Sequence, residues 1–291
     1  MVERPELAAP FGDNPALENG AFYRGWRLWL IQGLTLPDGS GRHTAYAARA
    51  AEEARQIRTA LTASPTGMVT SYPGRTWPCD NVVAMAAVAA VEGRQQPAWA
   101  ASVQRFADPA TGLLPHEVDT AGRPLEGPRG SSQTIIQTFW PRVTTDGSYD
   151  SYTAAFVTRE LGLVGVREHP HGDGSPGDVD SGPLVAGVSL RASAVGLAAA
   201  RANGDARLAD TLDREADLLG LPLDWHGTRS YALGLLPVGD AFVAWARSIP
   251  RPAIIASSHS PSPLWGWTAS GGAVLLVVGL WLGQRRPRHR P

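Results

Sequence analysis

DNVVAMAAVAAVE, at residues 80–92, has small and apolar side chains on every side, so the sequence predicts a helix that is buried all round. A more polar partner helix is predicted at residues 97–106, because Pro97 is well suited to a first helical turn. The same order returns later, with an apolar helix predicted at residues 183–203 and a charged one at 205–219. These two inner and outer pairs form a weak internal repeat, which predicts an all-α domain of helical hairpins.

Five more helices complete this domain, which we place at residues 1–248. Helical spacing of apolar residues and start and stop signals predict them at residues 20–33, 43–63, 131–140, 149–162 and 239–248. Two long loops are predicted at residues 108–130 and 167–181, the second of which is rich in Gly, Asp and His.

The C-terminal part is typical of a membrane anchor. Residues 264–283 carry no charge over a length that spans about 30 Å as a helix, and Trp265, Trp267 and Trp281 lie near its ends. A Pro- and Ser-rich spacer at 249–263 precedes this transmembrane helix, and a basic tail at 284–291 follows it. We therefore expect a single-pass membrane protein with the lipid bilayer as a partner.

The four arginines of the tail place the C-terminus in the cytoplasm and the main domain on the extracytoplasmic side. No apolar run follows the first residues, so no signal peptide is predicted there. Either the true start lies upstream, or the protein is tail-anchored with its domain inside the cell.

Composition excludes several classes of function. The net charge is -1, which gives no basic field for nucleic acid, and no Walker or dinucleotide motif is present. The single cysteine, Cys79, rules out an internal disulfide and a zinc site of the Cys-cluster type. His169, His171, Asp173 and Asp178 form only a loose group in a Gly-rich loop. We expect no metal, no cofactor and no nucleic-acid partner.

Aspartates precede both buried helices. Asp80 begins the first, and Asp178 and Asp180 lie before the second. Acid–base catalysis uses one desolvated carboxyl and one that stays charged. Residues two apart in an extended loop point in opposite directions, so we choose Asp180 as the partner of Asp80. The alternative is that both aspartates cap helices.

His116 and Cys79 are the other candidates for chemistry. His116 follows TGLLP in a loop and can transfer protons near neutral pH, with Glu117 beside it. The alternative is an ordinary exposed pair of loop residues. Cys79 stands at a helix N-terminus, which favours a nucleophilic thiolate, whereas the alternative is a buried inert thiol.

Aromatic, cationic and amide side chains accompany these candidates. The residues that we assign to substrate binding are Tyr72, Arg75, Trp77, Cys79, Asn81, Glu117 and Tyr149. Such residues shape a sugar-binding or apolar cleft. The alternative for the aromatic residues is that they cover the core.

Three segments, YPGRTWPCDN at 72–81, DPATGLLPH at 108–116 and DVDSGP at 178–183, carry a resemblance to α/α-toroid proteins. In pattern, residues 20–248 resemble six-hairpin glycosidases and linalool-dehydratase-like proteins. The resemblance implies a ring of hairpins with a cleft lined by the loops that enter the inner helices. The chain has about four and a half hairpins where the full ring has six, so the ring is incomplete or an N-terminal part is missing.

The resemblance implies two kinds of chemistry. In the glycosidase-like relatives, carboxylates do acid–base work on sugars; in the linalool-type relatives, Cys, Tyr, Asp and His act on a small alcohol. We expect a membrane-anchored toroid enzyme that acts on a glycan or related polar substrate, with Asp80, Asp180 and His116 as catalytic residues. The alternatives are a module that binds a glycan or a partner without catalysis, and a lyase or isomerase that uses Cys79.

Overall fold

The computed structural model describes residues 20–35, 43–160, 162–232 and 237–251, with Ala9 and Leu235. The longer helices of these ranges are, in chain order, α1 (Ala21–Gly33), α2 (His43–Ala63), α3 (Pro78–Glu92), α4 (Pro97–Gln104), α5 (Gly130–Val143), α6 (Tyr149–Phe156), α7 (Leu190–Ala202), α8 (Ala206–Leu219) and α9 (Pro237–Ser248).

The core is built around α3. Its residues from Val82 to Ala89 are buried on all sides, because α1, α2 and α5 pack around it. The prediction of a buried helix here is therefore confirmed. The second half of the core forms around α7, which packs against α5, α8 and α9. Trp245 of α9 contacts Trp26 of α1, which joins the two halves.

The described residues also contain eight strands, so the prediction of an all-α fold is wrong. The strands are β1 (Glu117–Val118), β2 (Pro124–Glu126), β3 (Val157–Glu160), β4 (Leu163–Arg167), β5 (Leu184–Val185), β6 (Val188–Ser189), β7 (Leu223–Trp225) and β8 (Thr228–Ser230). They form three antiparallel sheets, with the orders β1-β2, β3-β4-β6-β5 and β7-β8. The prediction of an α/α toroid is therefore wrong as well, because β-hairpins occupy segments that such a ring assigns to loops and helices.

Local chemistry explains where the helices end and these strands begin. The helix predicted at 149–162 ends at Phe156, because the β-branched Val157 and Thr158 continue as β3 and pair with β4. The helix predicted at 183–203 begins only at Leu190. Ahead of it, Ala186 and Gly187 both have positive φ, as a two-residue hairpin turn requires, and join β5 to β6.

The predicted membrane anchor lies outside the part of the chain described here. That holds for the transmembrane segment at 264–283, the basic tail and nearly all of the spacer. Among the described residues, no helix combines the length and the apolar character that a membrane span needs.

Candidate functional site

Three segments meet where α3 and α5 begin. The Val118 amide donates to the Thr76 carbonyl over 3.0 Å, which ties β1 to the loop that enters α3. The Gly130 amide donates to the Glu168 carbonyl over 2.8 Å, which ties the start of α5 to the end of β4. A Cβ at Gly130 would overlap the carbonyl oxygen of Arg167, so only glycine permits this approach. The loop before α3, the β1–β2 hairpin and the loop after β4 therefore share one site.

Asp80 lies in the first turn of α3 and is 7% exposed. Its Oδ1 accepts from the Cys79 thiol over 3.8 Å, and its Oδ2 has no hydrogen-bond partner among the described residues. Burial raises the pKa of Asp80 to about 7, and the negative charge of Asp180 adds to the rise, against the lowering effect of Ser71 and Cys79. Near neutral pH this carboxyl can therefore give or take a proton.

Neither Asp80 nor Asp180 is the N-cap residue of a described helix, so that alternative is wrong. Trp77 is the N-cap residue of α3, and its side chain makes no capping hydrogen bond. Ser189 caps α7 by accepting from the Ala192 amide, several residues after Asp180.

His116 lies beside Asp180 and is linked to Cys79, the neighbour of Asp80, through Ser132. Its Nδ1 contacts the Ser132 hydroxyl, and its Nε2 lies 4.0 Å from Asp180 Oδ2 and 3.9 Å from Glu126 Oε2. Burial lowers the pKa of His116, and the charge of Arg129 lowers it further, against the raising effect of the carboxylates. The imidazole is therefore neutral at pH 7 and can accept a proton. The alternative of an exposed loop pair is wrong, because His116 and Glu117 are both buried.

Asp178 and Asp180 have different surroundings, and this difference bears on the choice of Asp180 as the partner of Asp80. Asp178 accepts from Arg129 Nη1 over 2.6 Å and from the backbone amides of Asp180 and Ser181, which holds its pKa well below the usual range. The side chain of Asp180 is 59% exposed and faces His116. Asp178 therefore shapes the loop, and Asp180 remains available to a ligand.

Arg129 connects the segments of this site through hydrogen bonds to three carboxylates. It is buried, and its Nε donates to Glu168 Oε1 over 2.6 Å while Nη1 reaches Glu126 and Asp178. Glu168 also accepts from the Ser131 hydroxyl over 2.7 Å. This network fixes the start of α5 against β4 and sets the position of the two loops that carry His116 and Asp180.

Cys79 is a donor in this site and not a thiolate. Burial and the neighbouring Asp80 raise its pKa well above the ordinary 9.0, and a hydrogen bond from Ser132 offsets only part of the rise. The thiol therefore keeps its proton at neutral pH and points it to Asp80. Ser132 connects Cys79 with His116, since it contacts both.

An aromatic wall borders the carboxyl groups. The rings of Tyr72 and Trp77 meet edge to face with centroids 5.2 Å apart, and the guanidinium of Arg75 lies 5.6 Å from the Trp77 ring. Arg75 also binds the buried Glu117 carboxylate with two hydrogen bonds, one of them 2.6 Å long. Burial, with the charges of Asp80 and Asp180, raises the pKa of Tyr72. This wall is continuous with the acidic residues.

Two of the predicted binding residues have other partners. Asn81 is fully buried and bonds to both the amide and the carbonyl of Val69, so it holds the loop before α3. The hydroxyl of Tyr149 donates to Asp205 over 3.2 Å, and its ring packs with Tyr152 in a separate cluster. The structure thus brings Tyr72, Arg75, Trp77 and Cys79 to the aspartates and leaves Tyr149 apart from them.

Sequence reasoning missed Ser132, Glu126, Arg129 and Glu168. The one available signal was GPRGSS at 127–132, where small residues next to an arginine begin a helix. Within the described ranges, no group of three or more His, Cys, Asp or Glu side chains is arranged to hold a metal ion. His169 and His171 instead contact the carbonyls of Pro176 and Val157.

No family model matches this chain, and a search of curated proteins finds no significant match either.

Proposed function

We propose that this protein is an acid–base enzyme that acts on a glycan or a related hydroxylated substrate, tethered to a membrane by residues 264–283. Asp80 is the proton donor, Asp180 accepts a proton from the attacking water, and His116 lies beside Asp180. The observation that carries the proposal is the buried Asp80 carboxyl, whose pKa is raised to about 7 close to the exposed charge of Asp180.

The two environments support a division of labour between the carboxyl groups. A buried carboxyl that keeps its proton near pH 7 can protonate a leaving oxygen, and an exposed carboxylate can activate water. In such a hydrolysis the bond from carbon to the leaving oxygen breaks and a bond from carbon to the water oxygen forms. The water proton goes to Asp180, and the leaving oxygen takes its proton from Asp80.

The composition of the aromatic wall favours a polar substrate that has a flat apolar face. Sugars present such a face, and the half-buried rings of Tyr72 and Trp77 offer aromatic surface near the charged Asp180 and Arg75. The substrate class therefore rests on the residues of the site, without help from the overall fold.

A second candidate function is a lyase or isomerase that acts on a small alcohol with Cys79. The contact of the protonated thiol with Asp80 and with Ser132 favours it. In that reaction Asp80, positioned by the Cys79 thiol, would protonate the hydroxyl, the C–O bond would break to release water, and His116 would take the proton from the neighbouring carbon as the double bond forms. It predicts that a thiol-blocking reagent, or Cys79→Ser, abolishes turnover, whereas the glycan reaction tolerates the serine.

The test uses the full chain in detergent or vesicles and a panel of disaccharides and methyl glycosides of both anomeric forms, whose leaving alcohols must be protonated. Release of reducing sugar or methanol measures turnover, and protein fluorescence measures binding of the same sugars. We expect Asp80→Asn to lower the rate about 10²- to 10⁴-fold, since it removes one proton-transfer group, while sugar binding persists.

The matched control is Asp173→Asn, which changes an aspartate whose carboxylate caps an exposed turn at Ser175. It should leave turnover unchanged. Binding without turnover in the wild-type chain supports the alternative of a binding module. If Asp80→Asn and the wild type turn over at the same rate, Asp80 is not the proton donor and the proposal is wrong.

A further inference from the structure

The β7–β8 hairpin is exposed to solvent on both faces. Asp224 and Arg229 are cross-strand neighbours and form an ion pair with an N–O distance of 2.8 Å, and their side chains remain 63% and 44% exposed. Arg229 also reaches Asp217 of α8 at 3.3 Å. Because successive residues of a strand point to opposite faces, one face of the hairpin is charged and is linked to α8 through Arg229.

The outer face of the same hairpin is apolar. Leu223 and Trp225 flank Asp224, so they point away from α8, and they are 45% and 69% exposed. Leu221 precedes them and is exposed as well. We call Leu221, Leu223 and Trp225 the outer hairpin face. Exposed apolar side chains that gather on one face of a surface hairpin mark a surface that binds something.

The charges around the outer hairpin face are already paired. Arg229 is bound to Asp224, and Arg247 is bound to both Asp213 and Asp217. A strongly charged partner would have to displace these pairs. The zone of lipid headgroups suits the face better, since tryptophan rings favour the membrane interface.

The chain beyond α9 leads to the predicted membrane segment. Arg251 binds Asp210 of α8, and the uncharged sequence begins thirteen residues later at Leu264. Thirteen residues reach at most about 45 Å. Asp210 and Asp217 are separated by about 10 Å along α8, so the hairpin and the membrane segment can reach the same bilayer.

We propose that the outer hairpin face inserts into the headgroup region of the bilayer, with Trp225 as the interfacial anchor. The domain then rests on the membrane surface instead of moving freely at the end of the spacer. This inference depends on the predicted span at 264–283 and is independent of the chemistry at Asp80.

The experiment places the full chain in phosphatidylcholine vesicles that contain a lipid quencher near the headgroups. The wild-type emission minus that of Trp225→Phe isolates Trp225, because all other tryptophans are common to both. We expect the lipid quencher to reduce this difference emission about twofold or more. A double variant, Trp225→Phe with Leu125→Trp, provides the control, since Leu125 is 62% exposed on the separate β1–β2 hairpin. The tryptophan that replaces Leu125 should stay unquenched.

Three results would overturn the proposal. Trp225 emission that responds only to a quencher in the water shows an unbound surface. Emission that resists both quenchers shows that protein covers Trp225, from this chain or a second copy. A chain that fails to float with the vesicles removes the premise of a membrane segment, while turnover by Asp80 is measured separately and is unaffected.

Discussion

Asp80 and Glu168 are both buried carboxyl groups beside the start of a helix, yet their surroundings differ. Glu168 is 0% exposed, and it accepts hydrogen bonds from Arg129, from the Ser131 hydroxyl and from the Ser131 amide. Asp80 has only neutral donors, the Ser71 hydroxyl and the weak Cys79 thiol, and one of its oxygens has no partner among the described residues.

The difference separates a structural role from a functional one. Burial raises the pKa of both groups, but a cation and two further donors stabilise the charge of Glu168. No cationic side chain among the described residues forms an ion pair with Asp80, so its charged form costs free energy near neutral pH. Such a group does not stabilise the folded state at neutral pH. A carboxyl that exchanges its proton near pH 7 is, however, suited to acid–base catalysis.

The largest effect on stability is expected at the paired group. Glu168→Ala leaves Arg129 buried without its only fully buried carboxylate partner among the described residues, so we expect the free energy of unfolding to fall by up to about 5 kcal/mol. Urea unfolding followed by circular dichroism measures the loss. A change below about 1 kcal/mol would show that Asp178 and Glu126 alone satisfy Arg129, and the contrast with Asp80 would then weaken.

Asp80→Asn is expected to raise the free energy of unfolding near neutral pH, whereas Glu168→Ala lowers it. The folded protein holds the Asp80 proton up to a pKa of about 7, whereas the unfolded chain releases it near 3.8, so the wild type loses stability as the pH rises between these values. The upper limit of this loss is about 4 kcal/mol.

The variant has no proton to lose and should therefore be more stable than the wild type above about pH 7, with the difference vanishing near about pH 4. Urea unfolding at a series of pH values measures it. A variant that is less stable at every pH would contradict the assignment of Asp80 as an unpaired buried acid.

The smallest effect is expected at a partly exposed ion pair. Arg75 binds Glu117 and covers Trp77, but 56% of its side chain is exposed. We expect Arg75→Ala to lower the free energy of unfolding by about 1 kcal/mol or less. Its main consequence should be a higher KM, because the cationic edge of the aromatic wall is lost. A lower kcat at unchanged KM would instead place Arg75 in the chemical step.

The helical core was predictable because its signal is local and long. Residues 80–92 are apolar over more than three turns, which favours a buried helix in almost any surroundings. The strands were not predictable in the same way, because β5 and β6 have two residues each and show no period of alternation. Their turn also needs a positive φ at Ala186, which an alanine does not signal.

The site was predictable to the extent that its residues lie directly before buried helices. Asp80 and Asp180 stand in such loops, and His116 follows a turn-rich segment. Ser132 and Arg129 were missed, because their roles depend on contacts with residues 16 to 49 positions away along the chain. No sequence pattern shows that Asp80 lacks a cation, since that depends on the packing around it.

The central claim is that Asp80 holds a proton near neutral pH, and a direct titration tests it. In the full chain labelled with ¹³C at the aspartate carboxyls, the resonance missing from Asp80→Asn identifies the group. The account predicts a midpoint at about pH 7 for this resonance. A midpoint near the ordinary 3.8 would contradict it and would leave the site without its acid.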